Sequence, residues 1–522
     1  MSRSSTSKTE GRSPTRAVLP WVVILGTGAA TGFLALHDPF LALAAVLLAL
    51  LALATVTTPD FATFAVIFIL YSNIAVVASR FHGVPRLVAS AFPLLLAAPL
   101  IRDLILRRQS IVVTPVLPIL FLFLVVQILG MMFSKNLEVT RTVVIEFLFE
   151  GLLVYFLITN VVRTPRALRL AVWALLLAGF VSAAVPCYQQ LTGTFDNNFA
   201  GLGQTSEGGF RTGDFTGRVE VRQVRLAGPI GEQNRYSQNM LMLLPVGLFA
   251  CFSERSKRLR FLALFFTAVT GAGFLLAFSR GGAVALLLVM ATMVLMRTVT
   301  LRQLSLVGLV VVLGLVAMPQ YWARLKTLAD IPSQFSRQIS SQTGAGKPDS
   351  SAQRRLIEMV AAGMVFADNP LIGAGPGMFK YYSQEYGNRL GVRRITETRK
   401  AHSLYLEVAA EGGVLGLTCF FAIVLVTLHG LVVARRRLLQ GPPGATPGEE
   451  HERRALANLV TGFLLALIAY LGCGLFLHLA YIRFFYLMLG LAAAASGIAL
   501  SFSSRRSPPA SALDQGVHEG TA

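Results

Sequence analysis

The chain has 522 residues, of which 54% are hydrophobic and only 14% charged, and a formal net charge of +20 at pH 7. Soluble domains carry roughly 25% charged residues, so this composition excludes an ordinary soluble protein. The positive charge does not mark a nucleic-acid binder either, because much of it lies in short loops between apolar runs, where Lys and Arg set orientation.

The polar, basic start (residues 1–16) leads into an apolar run over 17–36. That run is longer than a signal-peptide core and no small-residue cleavage site follows it, so it reads as a retained first helix. Thirteen further apolar runs follow, at about 39–57, 61–79, 86–106, 112–133, 142–161, 167–190, 236–252, 260–278, 281–297, 303–319, 404–434, 456–478 and 482–502. Each approaches the roughly 20 residues a helix needs to cross the hydrocarbon core. Arg102 and Asp103 interrupt the fourth, and the twelfth is long enough to tilt or to leave the membrane. Backbone polar groups in lipid must be satisfied within their own segment. The expectation is therefore an all-α polytopic bundle of about 14 membrane helices (12–14), with a large extracytoplasmic loop containing short helices.

With the N-terminus inside, the inside segments hold 22 Lys and Arg and the short outside loops hold 6. This asymmetry places both termini in the cytoplasm. The chain then divides into a basic tail (1–16), helices one to seven (17–190), an outer loop (191–235), helices eight to eleven (236–319), a large outer loop (320–403), helices twelve to fourteen (404–502) and a cytoplasmic tail (503–522). The first outer loop is Gly- and Thr-rich. The second contains an amphipathic helix at about 352–367. Leu356, Met359, Val360, Gly363 and Met364 share one of its faces, flanked by Arg354, Arg355 and Glu358. This loop carries 12 Lys and Arg against 6 Asp and Glu, a balance that points to an anionic partner such as a phosphate-bearing lipid or glycan.

Several residues stand out chemically. His402 opens the twelfth helix, where a histidine can accept a proton near neutral pH. Arg280 lies in Phe278-Ser-Arg-Gly-Gly282, in a turn too short to be a loop. Arg225 precedes the eighth helix in Arg225-Leu-Ala-Gly-Pro-Ile-Gly231-Glu-Gln-Asn234. Glu146 and Glu150 share a face of the sixth helix, and either form a proton path or pair with an arginine of a neighbouring helix. The outer loops hold no close acidic pair for a divalent metal, so charge on a leaving phosphate would fall to arginine. Cys187, Cys251, Cys419 and Cys473 lie in or beside apolar runs and read as small fillers. Gly373-Ala-Gly375-Pro-Gly377 lacks the strand–loop–helix setting of a nucleotide loop and reads as a tight turn.

The stretch Asn369-Pro-Leu-Ile-Gly373-Ala-Gly375-Pro-Gly377-Met-Phe379, followed by His402-Ser-Leu-Tyr-Leu-Glu407 and Glu411-Gly-Gly-Val-Leu-Gly416, resembles the signature of the O-antigen ligase/polymerase superfamily. Arg225…Gly228…Asn234 and Ser279-Arg-Gly281 resemble two further motifs of that family, so the resemblance covers about 225–416. Ser403 stands where the family usually has Asn, and fourteen spans exceed the twelve typical of the ligases. The resemblance implies a bundle in the bacterial inner membrane with a periplasmic active site. It implies no cofactor and no metal, a polyprenyl-diphosphate-linked glycan donor, and a glycan or lipid A-core acceptor. Arg225 and Arg280 would lie on the diphosphate and His402 near the attacking hydroxyl. Arg354, Arg355, Asn234 and Glu411 would bind substrate. Polysaccharide assembly or export proteins would be partners. The alternative is a transporter or lipid-linked glycan flippase. No internal repeat supports it, and Glu146 and Glu150 are its best evidence.

Overall fold

The computed structural model describes residues 59–85, 92–105, 107–213, 220–298, 351–389, 400–441, 446–477 and 482–504. The expected spans at 17–36, 39–57 and 303–319 lie outside the described residues, as do residues 1–16 and 505–522. Helix α1 (Pro59–Ser72) meets α2 (Ile74–Phe81) at a 58° bend. The bend falls at Asn73, whose backbone is left-handed at φ 62, a conformation that Asn tolerates better than most residues. A 3-10 turn (Phe92–Leu96), α3 (Ala97–Ile105) and α4 (Val116–Met131) follow. Next, α5 (Leu137–Glu146), a π-helical stretch (Phe147–Leu153) and α6 (Val154–Val161) run on as one span. After α7 (Pro165–Thr192) come strands β1 (Gln204–Gly213) and β2 (Glu220–Gly228), then α8 (Gln233–Ser253), α9 (Lys257–Leu276) and α10 (Arg280–Leu295). The second long loop contributes α11 (Ser351–Asp368) and α12 (Phe379–Arg389), and α13 (Leu404–Gln440), α14 (Pro447–Gly474) and α15 (Ile482–Ser504) complete the described chain.

The helix starts follow their caps. Thr164 accepts from the Ala167 N–H and Thr446 from the Glu449 N–H, each with proline at the first helical position. Asn136 accepts from the Val139 N–H to start α5. Among the described residues, six helices are long and apolar enough to cross a membrane, or seven if the bent α1–α2 pair counts as one span. Helices α4 and α10 are apolar but shorter, at 16 residues each. The core lies where α14 packs against α8, α10, α13 and α15, and 83% of the most apolar stretch of α14 is buried.

The structure corrects the sequence reading at two places. The chain is not wholly helical: β1 and β2 form an antiparallel hairpin in the first long loop, with Gln204 opposite Gly228 and Ser206 opposite Arg225. The Val219-Glu-Val221 alternation, with Thr and Val nearby, is the β signal in that segment. The second correction concerns α11. Its buried face is Glu358, Ala361, Ala362 and Val365, whereas Val360 is 44% exposed. Small alanines permit close packing against α13 and α12, and of the expected face Met364 still packs against that cluster.

The connections alternate between two ends of the bundle. One end holds 107–112, 161–166, 253–257, the end of α13 and the start of α14, where Arg163 donates to the Ser110 carbonyl and Arg255 to the Gly448 carbonyl. The other end gathers the short loop after α4, the hairpin, the α9–α10 turn, α11, α12 and the start of α13. There Lys135 Nζ lies 2.9 Å from Glu385 Oε2 and 3.7 Å from the centre of the Tyr382 ring. Both charged side chains are nearly half exposed, so solvent screens the pair. Lys135→Ala is expected to lower stability by only about 1 kcal/mol, read as a small fall in the thermal unfolding midpoint in detergent.

Candidate active site

Three elements converge at this second end: the close of β2, the start of α8 and the start of α10. Arg225 is 6% exposed. Its Nε donates to the Ala277 carbonyl at 3.0 Å and its Nη2 to Asn234 Oδ1 at 3.0 Å. The Ser279 hydroxyl donates to the same Oδ1 at 3.2 Å and caps α10 by accepting from the Gly282 N–H. Asn234 Nδ2 donates to Glu232 Oε1 at 3.0 Å, and Glu232 caps α8 by accepting from the Asn234 and Arg235 N–H groups at 3.1 and 2.9 Å. Arg225, Asn234, Ser279 and Glu232 thus form one hydrogen-bonded chain that fixes the first turns of two helices. Phe278 enters the α10 turn at φ 48. Such strained backbone clusters at functional sites.

Arg280 opens α10, and its guanidinium stands close enough to that of Arg355 for the two to repel. Burial lowers the pKa of Arg355, while the carboxylates of Glu232 and Glu358 raise it. Glu358, 3% exposed, lies one turn further along α11. Its Oε2 is 3.3 Å from His402 Nε2. His402 itself is held at φ 49, another left-handed non-glycine backbone. Arg235 is also buried, at 3% exposure. Lys400 is exposed by area, yet desolvation and the neighbouring Arg235 lower its pKa, partly offset by Glu407 and Glu232. Arginine and lysine from β2, α8, α10, α11 and the chain before α13 therefore line one region, with Glu232 and Glu358 among them.

The glycine-rich loop between α11 and α12 has a different task. Helix α13 breaks at Gly413, where φ is 61 and ψ −162, and the loop supplies partners to the backbone at the break. The Ala374 N–H donates to the Ala410 carbonyl (2.9 Å) and the Gly375 N–H to that of Glu411 (3.1 Å). In return, the Val414 and Leu415 N–H groups donate to the Pro370 and Leu371 carbonyls at 2.7 and 3.2 Å. A Cβ on Gly373 would overlap the Glu411 carbonyl, and one on Gly413 the Leu371 carbonyl. The carboxylate of Glu411 completes the joint by accepting from the N–H groups of Gly377 (2.8 Å) and Phe379 (3.1 Å).

Of the residues expected at the site, Arg225, Asn234, Arg280, Arg355 and His402 are connected directly or through Glu232, Ser279 and Glu358. Glu411 holds the loop on α13 instead. The Arg354 side chain lies outside the described residues. Sequence reasoning missed Glu232, Arg235, Lys400 and Arg483. It treated Glu358 as a flanking residue. Glu232 had a signal, a carboxylate just before a helical run, and Glu358 fell on the i, i+3, i+4, i+7 face with the alanines. Arg483 had none. It is 8% exposed, lies 3.3 Å from Glu150 Oε1 and donates to Asn73 Oδ1. Glu150 therefore pairs with an arginine from a neighbouring helix, inside the π-helical stretch of its span.

The described residues thus combine several helices long and apolar enough to cross a membrane with a cationic cluster and a histidine–carboxylate pair at one end of the bundle. Residues 240–421 match the family model described as O-antigen ligase. The matched segment contains Arg280, Arg355, His402 and Glu411, while Arg225 and Asn234 precede it. No curated protein matches the chain.

Proposed function

We propose that the protein transfers or polymerises saccharides carried on a polyprenyl diphosphate at the outer face of the bacterial inner membrane, as an O-antigen or exopolysaccharide polymerase or an O-antigen ligase. The observation that carries this reading is the linked set Arg225, Arg280, Arg355, Glu358 and His402 on elements converging at one end of the bundle. Guanidinium forks match diphosphate oxygens and keep their charge. Arg225, Arg280 and Arg355 neutralise the diphosphate as it leaves, without a metal.

His402 takes the proton of the acceptor hydroxyl. Glu358, whose Oε2 lies 3.3 Å from Nε2, stabilises the imidazolium that forms. The acceptor oxygen bonds to the anomeric carbon as the bond from that carbon to the diphosphate oxygen breaks. The diphosphate leaves with the electron pair, and the anomeric centre inverts. The outward placement of the site rests on the Lys and Arg asymmetry between alternate loops.

The test is reconstitution of the full chain in proteoliposomes with lipid-linked saccharide from the cell's own pathway. Product of increased glycan length, or glycan moved to a second acceptor, is the expected result, with the rate unchanged by EDTA. Loss of product on chelation overturns the metal-free mechanism. No glycan transfer of either kind overturns the function.

A further inference from the structure

The buried arginine at the start of α15 is linked by hydrogen bonds to the segment that carries Arg225. Arg483 Nη1 lies 3.3 Å from Glu150 Oε1 in the π-helical stretch, and Nη2 donates to Asn73 Oδ1. Asn73, 2% exposed, stands at the bend between α1 and α2. Its carbonyl starts α2 by accepting from the Val76 and Val77 N–H groups at 3.1 and 3.0 Å. Its Nδ2 donates to the Pro229 carbonyl at 2.8 Å. Pro229 lies midway along the segment whose ends are joined by the bond from Arg225 Nη2 to Asn234 Oδ1. Proline brings no N–H of its own to that turn. The Ile230 and Gly231 N–H groups both donate to the Ala227 carbonyl at 3.3 Å, longer than ordinary N–H···O bonds. The turn is therefore weakly held from within. Its firm restraint comes from outside, through Asn73 and through Gln204 Nε2, which donates to the same Pro229 carbonyl at 3.2 Å.

Charge fixes the direction of this linkage. A carboxamide accepts at one end and donates at the other, whereas a guanidinium only donates. Arg483 therefore takes Oδ1 of Asn73 and leaves Nδ2 for Pro229. Glu150 supplies the countercharge that a buried arginine needs. The next residue of α15 grips the same helix: Phe484 meets Tyr71 edge to face at 5.4 Å, and the Tyr71 hydroxyl donates to the Asn239 carbonyl of α8 at 2.8 Å. Helix α15 thus holds α1 at two successive residues, and α1 holds both the turn before α8 and α8 itself. Apolar side chains of similar volume often replace a buried ion pair with no loss of stability, so the charged pair is accounted for by what it orients.

We propose that Glu150, Arg483 and Asn73 are positioning residues: they hold the Pro229 turn and thereby set Arg225 and Glu232, which flank it, in the cationic cluster. Their effect on catalysis rests on the function proposed above. The test uses the full chain in nanodiscs. Asn73→Gly keeps the left-handed bend and removes both side-chain bonds. Asn73→Asp keeps the acceptor for Arg483 and sets an oxygen against the Pro229 carbonyl. Hydrogen exchange of fragments spanning 227–232, read by mass spectrometry, is expected to quicken at least about tenfold in both variants, with α14 unchanged. Transfer from the cell's own lipid-linked saccharide, measured per folded molecule, is expected to lose about tenfold or more in kcat, with the donor KM shifted less than about threefold, because a displaced Arg225 is felt most where charge develops. Arg483→Met should show the same pattern, and Arg483→Lys should recover part of the loss. Where one Asn73 variant fails to fold, the other decides. Exchange over 227–232 equal to wild type in the folded variants overturns the proposal, and so does faster exchange with kcat unchanged. A wild-type chain without transfer activity removes the proposed function, and exchange alone then decides whether these residues hold the turn.

Discussion

Replacing His402 with alanine is expected to reduce glycan transfer by about 10² to 10⁴-fold, the usual contribution of a positioned proton acceptor. The chain should stay folded, because the side chain is 30% exposed and stands at a helix entry rather than in the core. Glu358→Gln tests the partner. It keeps the shape and removes the charge that favours a protonated imidazole. A proton acceptor works in its neutral form, so activity falls as pH drops through its titration. Without the Glu358 charge that acid limb should move to lower pH, with a smaller loss of rate at the optimum. Initial rates between pH 5 and 9 for wild type and both variants check this. Near wild-type rates for His402→Ala would remove the residue from the mechanism. An unmoved acid limb for Glu358→Gln would remove the pairing from it.

Gly413→Ala is expected to cost on the order of 3 kcal/mol or more. The conformation at Gly413 belongs to glycine alone, and the added carbon would press on the backbone of Leu371, which cannot rotate away as a side chain can. Gly412 is the internal control. It neighbours Gly413, has no atom within 4 Å of a built Cβ, and is not among the positive-φ glycines. Gly412→Ala should be neutral or slightly stabilising, since alanine favours a helix by up to about 1 kcal/mol over glycine. Thermal unfolding in detergent separates the two, and equal midpoints would show that the joint is not the constraint described.

Much of this architecture was legible from hydropathy because membrane helices announce themselves by length. The span over Pro165–Thr192 and that over Lys257–Leu276 fall within a few residues of the apolar runs at 167–190 and 260–278. Breaks were harder to read. Asn73 and Gly413 divide helices through single residues whose partners lie far away in sequence, Pro229 and Arg483 for one, Pro370 and Leu371 for the other. No local pattern encodes a distant carbonyl. Arg225, Arg280 and His402 were found because charge beside an apolar run is conspicuous. Arg483 stands in an equivalent place, but only the folded chain shows that it serves Glu150 and Asn73. Glu411 had the opposite fate. Its motif marked it as important, and the importance lies in two backbone N–H groups of the loop.

The backbone joint at Gly413 also sets rules for exchanging parts between related enzymes. Residues 369–379 and 410–415 are grafted to each other through four main-chain bonds and one carboxylate, so neither is a module alone. A chimaera that imports the loop with its helix break keeps a matched pair of surfaces. One that imports the loop onto a foreign, unbroken helix places carbonyl against carbonyl. The natural seams for recombination lie outside that pair, and specificity carried by the loop travels only together with the first turns of the helix it rests on.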